Sequence, residues 1–272
     1  MEVAEYDWTE IVGDWLKERN VVRAFVGMSS LINVKVIAYS LPAPANGPTH
    51  FHNEAMFYIA CLQAGVKYIA RTSTTPSSIG PDSKIFYGVH HWAVENLLSQ
   101  PEFSALQWTS LQPNGFHGIG AGVIIPWIKE FQKSGKQDVL KVTPQKDVGI
   151  AFIDPRDVGD VGAALLALED PSPYNHVKLV LNGPEDVTGE RVVSMVEKII
   201  GTQVEKVEYG NLDWVDEVPM PKKLIDSIRH APENAVAGKN SLAAMPTSKE
   251  VADLSPTKRT FEEHAREALA SQ

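Results

Sequence analysis

The chain has one cysteine, Cys61, among its 272 residues. No intrachain disulfide can therefore form, and a zinc site built on cysteines is excluded. No apolar run approaches the ~20 residues needed to span a bilayer. Positive charge is also scarce: 25 Lys and Arg face 34 Asp and Glu, a formal net charge of −9. That balance argues against a nucleic-acid or anionic-membrane surface, both of which want a basic footprint. The opening segment, with Glu2, Glu5, Asp7 and Glu10, is the opposite of a signal or transit peptide, so the expected location is cytoplasmic. The most telling shortage is glycine near the start. Nucleotide-binding α/β enzymes open with a strand, a glycine-rich turn and a helix whose N-terminus holds a pyrophosphate. Between Met1 and Asn20 the one glycine is Gly13, inside a helical stretch, and nothing there reads as a phosphate loop.

What is present is ordinary for a globular protein: 43% hydrophobic and 22% charged residues, with length for one large domain or two small ones. Residues 21–28 and 66–72 are short apolar runs rich in β-branched and aromatic residues and read as buried parallel strands. A helix over 51–64 separates them, with Ala55, Tyr58, Ile59 and Leu62 on one face and Gly65 as its stop. A helix over 87–98 leads to a third strand at 107–112, ended by Pro113, Asn114 and Gly115. Strand and helix in alternation mean βαβ units and a parallel sheet covered on both faces. The second half repeats the grammar. A strand at 177–181 precedes a helix that Thr188 can cap and Gly201 can end, and a helix over 157–168 is rich in small residues. The expected fold is α/β, a Rossmann-like parallel sheet with a C-terminal substrate-side lobe. The expected organisation is one unit over 1–230, with 1–115 as the remaining nucleotide-binding half and 116–230 as the substrate-side half. A polar tail over 231–272, interrupted by Pro246 and Pro256, reads as two short helices and loops on the surface.

Five blocks of sequence resemble the NmrA-like branch of atypical short-chain dehydrogenases. They are Gln63-Ala-Gly-Val-Lys-Tyr-Ile-Ala-Arg-Thr-Ser73, Tyr87-Gly-Val-His-His-Trp-Ala-Val-Glu-Asn-Leu-Leu98, Trp108-Thr-Ser-Leu-Gln-Pro-Asn-Gly-Phe116, Phe152-Ile-Asp-Pro-Arg-Asp-Val-Gly159 and Leu181-Asn-Gly-Pro-Glu-Asp-Val-Thr188. Each is weakly specific alone, and together they run in order from about Tyr6 to Val218. In that register Tyr6-Asp7-Trp8 resembles the end of the family's third strand. The resemblance then implies an N-terminally truncated fold, from a shortened gene model or from genuine loss. It also implies an exposed edge of the sheet through which the chain could pair as a homo-oligomer. It implies NADP(H) as the cofactor, with Asp7, Gly27, Met28, Thr72, Pro113, Asn114, Gly115 and Phe116 around it, although its phosphates would have lost their loop. The partner is a small-molecule substrate.

The superfamily's reductase chemistry uses a serine and a Tyr-x-x-x-Lys pair. A tyrosine hydroxyl, its pKa lowered by a nearby cation, moves the proton that accompanies hydride transfer. Tyr87 and His91 hold the pair's positions, four apart on one helix face, with histidine in place of lysine. Ser73 stands where the serine orients a carbonyl, with Thr72 and Thr74 as substitutes one residue away, and residues 75–81 form a loop that could cover a pocket. Glu95 is placed to pair with His91 or simply to support the helix, and Asp157 to cap the helix it begins. His50, His52, His90 and His91 do not make a metal site, because i, i+2 positions diverge on a helix and no third ligand stands at a recognisable spacing. The resemblance implies an oxidoreductase-type enzyme acting on an imine, enone or carbonyl intermediate of secondary metabolism. A cofactor-free cyclase or isomerase and a non-catalytic redox-sensing regulator are the rivals.

Overall fold

The computed structural model describes residues 13–27, 49–217 and 222–271. Four parallel strands, β1 (Arg23–Val26), β2 (Tyr68–Thr72), β3 (Gln107–Pro113) and β5 (Val177–Leu181), form the main sheet in that spatial order. β1 pairs with β2 from Arg23 opposite Tyr68, and β2 with β3 from Tyr68 opposite Gln107. Two helices, α2 (Thr49–Ala64) and α3 (Phe86–Leu98), cover one face, and α5 (Pro155–Ala167) covers the other. The period-two alternation of a strand decides which side chains meet which layer. Ile69 and Trp108 pack with Tyr58, Val94 and Leu98 on the α2–α3 side, while Tyr68, Ala70 and Leu111 pack with Val158, Val161 and Leu165 on the α5 side. β1 can approach α5 closely because position 162 is glycine. A Cβ there would lie 2.3 Å from Cε2 of Phe25.

A smaller lobe completes the chain. Its two-stranded parallel sheet, β4 (Leu140–Val142) with β6 (Val207–Tyr209), packs with α4 (His117–Ser134) and α6 (Gly189–Ile200). The Thr188 side chain accepts the Arg191 amide to cap α6, and Gly201, at φ +76°, closes it. No helix among the described residues is long and apolar enough to cross a membrane.

Two expectations need correction. The helix expected at 157–168 starts at Pro155, and its cap is Asp154, whose side chain accepts the Arg156 amide. Asp157 instead accepts the amides of Lys258 and Arg259 and pairs with the Arg259 guanidinium. The tail, expected on the surface, is built into the molecule through α8 (Ala231–Val236), α9 (Lys249–Leu254) and α10 (Phe261–Ala270). Val251, Phe261 and Ala265 are buried, and α10 lies along α4. Ser248 both donates its amide to Val180 O and accepts the Val180 amide on its hydroxyl, so the tail satisfies the outer edge of β5. A few apolar anchors outweigh the polar composition of this segment.

Candidate active site

The C-terminal ends of β1, β2 and β3 open onto a cavity of about 280 Å³. Ligands of open parallel sheets bind at such ends. Gly27, Thr72, Ser73, Tyr87, His91, Pro113, Asn114, Gly115 and Phe116 all line it, so the topology brings together every expected site residue that is described. Asp7 and Met28 lie outside the described residues.

A buried ion cluster adjoins the cavity through His91, with Arg71 and Glu54 fully buried at its centre. Strand alternation points Arg71 at α2 and α3. Its Nε donates to Glu54 Oε1 at 2.9 Å and to the Tyr58 hydroxyl at 3.1 Å. Its Nη2 lies 2.9 Å from His91 Nδ1. His90 Nε2 donates to Glu54 Oε2 at 2.7 Å. Burial opposes ionisation of Glu54, but Arg71 and His90 together hold its carboxyl well below the usual range. Burial likewise disfavours the Arg71 charge, which Glu54 restores, so the guanidinium is a permanent cation.

This cluster changes the role expected of His91. A guanidinium can only donate, so His91 Nδ1 must accept, and the ring is a neutral imidazole with its proton on Nε2. It is therefore no stand-in for the cationic lysine. Tyr87 is correspondingly unactivated: burial pushes its pKa up to about 12, the opposite of the lowering expected. No described residue is hydrogen-bonded to its hydroxyl, and its ring packs edge-on to Phe86 at 5.5 Å.

Ser73 continues the alternation of β2 and so reaches α3, where its hydroxyl donates to Glu95 Oε1 at 3.0 Å. With its one proton committed there, Ser73 offers a ligand lone pairs, not a donor for a carbonyl. Glu95 does not take His91 as its partner. Its Oε1 also accepts from Ser110 at 2.7 Å and from Gln112 at 3.2 Å, and its Oε2 pairs with Lys178 Nζ at 2.7 Å. Burial again opposes the charge, and Lys178, Ser110 and Arg71 keep the Glu95 pKa low. The Asn114 side chain is used structurally: it donates to Asn182 Oδ1 and Asn240 O, each at 2.9 Å, and accepts the Gly115 amide. This network fixes the turn after β3, where a Cβ on Gly115 would lie 3.0 Å from the Phe152 ring.

The loop after Ser73 forms a wall of the cavity. A Cβ on Gly88, one residue after Tyr87, would lie 2.0 Å from Ser78 O, so this loop rests directly on the first turn of α3. The tail holds it from the other side: Asn234 Nδ2 donates to Ser77 O at 2.9 Å, and Ser77 Oγ to Asn240 Oδ1 at 2.8 Å. Sequence reasoning missed these tail contacts, together with Arg71 and Glu54. An arginine inside an otherwise apolar strand was the visible signal. It also missed His117, Asp154 and His264, whose ligand-type atoms lie within 4.8 Å of one another. There Arg156 grips Asp154 through two hydrogen bonds, at 2.9 and 2.8 Å. Burial resists ionisation, yet Arg156, His117 and His264 keep the Asp154 carboxyl far below its usual range.

No family model and no curated protein matches the sequence. Solved structures do. The NADPH-dependent quinone oxidoreductase QOR2 of Escherichia coli, complexed with NADPH, aligns at 17% identity over 98% of this chain and 83% of that one, with a TM-score of 0.68. The triphenylmethane reductase of Citrobacter sp., complexed with NADP(H), aligns at 14% identity over 99% and 84%, also at 0.68. A nucleoside-diphosphate-sugar epimerase of Staphylococcus aureus aligns at 16% over 98% and 84%, at 0.65. At these identities the likeness is one of fold. The fold that this chain shares with them is a Rossmann-like α/β architecture with a parallel sheet.

Proposed function

We propose that this chain is an NmrA-like, oxidoreductase-type enzyme that reduces a small, largely apolar organic intermediate of secondary metabolism. The observation that carries the reading is the convergence of Ser73, Tyr87, His91 and the turn Pro113 to Phe116 on one cavity at the strand ends. A nicotinamide would supply hydride when bound. The residues fit its nicotinamide end: Gly27, Thr72, Gly115 and Phe116 present small or flat surfaces there. The phosphates fare differently. No Lys or Arg is among the described cavity-lining residues.

The chain's own residues favour the reductive direction. A tyrosine whose pKa stands at about 12 is protonated throughout the physiological range, so Tyr87 can give a proton to a developing alkoxide but is a poor base for oxidation. His91, held by Arg71 through Nδ1, lines the same cavity. Ser73 accepts from a substrate hydroxyl or, by releasing Glu95, turns its proton inward. Glu95 keeps Ser110 and Gln112 when it does so.

The second reading is a cofactor-free isomerase or cyclase that uses the same proton donors. NADPH consumption with a panel of aryl ketones, enones and quinones separates the two. The reductase reading expects turnover that needs NADPH and falls sharply in Tyr87→Phe. Conversion of a carbonyl compound without NADPH would establish the second reading instead. The edge of β1, which pairs only with β2 among the described residues, is where we propose that copies of the chain associate.

A further inference from the structure

The cavity contains polar groups that this chemistry leaves unused. Thr143 follows β4, and Trp214 lies in the short 3-10 helix Asp213–Glu217 after β6. The two strands are parallel neighbours, with Leu140 opposite Val207 and Val142 opposite Tyr209. Beyond them Gly210 N donates to Pro144 O at 3.1 Å and Asn211 N to Val142 O at 3.0 Å. Both side chains therefore come from the C-terminal end of the smaller sheet, and both line the cavity. Thr143 Oγ1 and Trp214 Nε1 are buried atoms with no hydrogen-bond partner among the described residues. Burying two such atoms unpaired is costly, so they call for a ligand group.

The chemistry of that group follows from the donors. An indole N–H can only donate, so its partner must be an acceptor, and the threonine hydroxyl can donate as well. No Lys or Arg is among the described lining residues, so the wall they form suits a neutral acceptor. A neutral oxygen satisfies both conditions: a ketone, ether or ester. Phe116, Ile119, Ile150 and Phe152 make much of the remaining wall apolar.

We propose that Thr143 and Trp214 form a second polar anchor, so that the substrate is a neutral, mostly apolar molecule with oxygen at two separated positions. One oxygen is held by Thr143 and Trp214 at the smaller sheet, and the other is presented to Tyr87 at the larger. This rests on the cavity being the substrate site of the proposed reductase.

The test uses 1,3- and 1,4-diacetylbenzene, which carry two ketone oxygens, and acetophenone, which carries one. Each is titrated into the full chain while its indole N–H resonances are followed by NMR. Trp214 is one of six tryptophans, and its signal is assigned by its loss in Trp214→Phe. The expected result is a shift of the Trp214 resonance by a diacetylbenzene that binds about tenfold tighter than acetophenone, a preference abolished in Trp214→Phe, which still binds acetophenone. Three results would overturn the anchor: binding that leaves the Trp214 resonance unmoved, a preference that survives in Trp214→Phe, or no binding of either diketone. None of them bears on NADPH binding or on Tyr87, so the anchor can fail while the reductase reading stands.

Discussion

Replacing Arg71 with methionine keeps most of the side-chain length and removes the guanidinium that faces Glu54. In the parent, Arg71 and Glu54 are both fully buried and 2.9 Å apart. Breaking a buried pair by removing one partner costs about 3–5 kcal/mol, because the other charge stays desolvated. Tyr58 and His90 still bond to Glu54 in the variant, so the lower end, about 3 kcal/mol, is expected near neutral pH. The loss should depend on pH. The parent's Glu54 is held below its ordinary value of 4.5, so its stabilisation is present above that pH and is lost as pH falls through the lower folded value. Without Arg71, burial dominates and raises the folded value, so protonation relieves the variant as pH falls. The difference between parent and variant should be at least about 1 kcal/mol smaller at pH 5 than at pH 8, because a difference of one bound proton changes stability by about 1.4 kcal/mol for each pH step of one. Urea unfolding at the two pH values measures this. Adding Glu54→Gln should recover much of the loss, since no buried charge then lacks its partner. A variant within about 1 kcal/mol of the parent at pH 8, or a loss identical at both pH values, would refute the reasoning.

Other consequences are open to measurement. Tyr87→Phe should lower kcat by about 10²–10⁴ while leaving the melting temperature near that of the parent. Because Tyr87 stays protonated far above neutrality, the reductive rate of the parent should show no Tyr87 ionisation in a pH profile up to about pH 9. Gly88→Ala pushes a methyl group against Ser78 O and should cost about 1–3 kcal/mol in urea unfolding. Phe261→Ala should cost about 3–5 kcal/mol, because the ring is buried against α4 and Phe152; a loose surface tail would lose almost nothing.

The sheet was legible wherever local pattern and global fold agree. The apolar runs ending in Thr72 and Gln112, each bounded by turn residues, carried enough signal to place β2 and β3 within a residue or two. The cap at Asp154 was legible too, in the Asp-Pro pair that opens α5, since proline suits a first helical position. It was missed because Asp157 resembles a family feature. The cluster around Arg71 could not be read from spacing, since Glu54, Glu95 and His91 come from two helices and meet only when both pack on one face of the sheet. His91 shows the limit most sharply. Its position four residues after Tyr87 was visible, but its charge depends on a strand twenty residues upstream. The tail's role was hidden because Val251, Phe261 and Ala265 are few and widely spaced among polar residues.

Calorimetric titration of the full chain with NADPH tests most directly whether the cavity at the strand ends receives the reactive end of a nicotinamide cofactor, as proposed. One site per chain is expected, with a dissociation constant of about micromolar order, weakened when a methyl group is placed at the cavity wall by Gly115→Ala. The absence of binding at millimolar NADPH would contradict it.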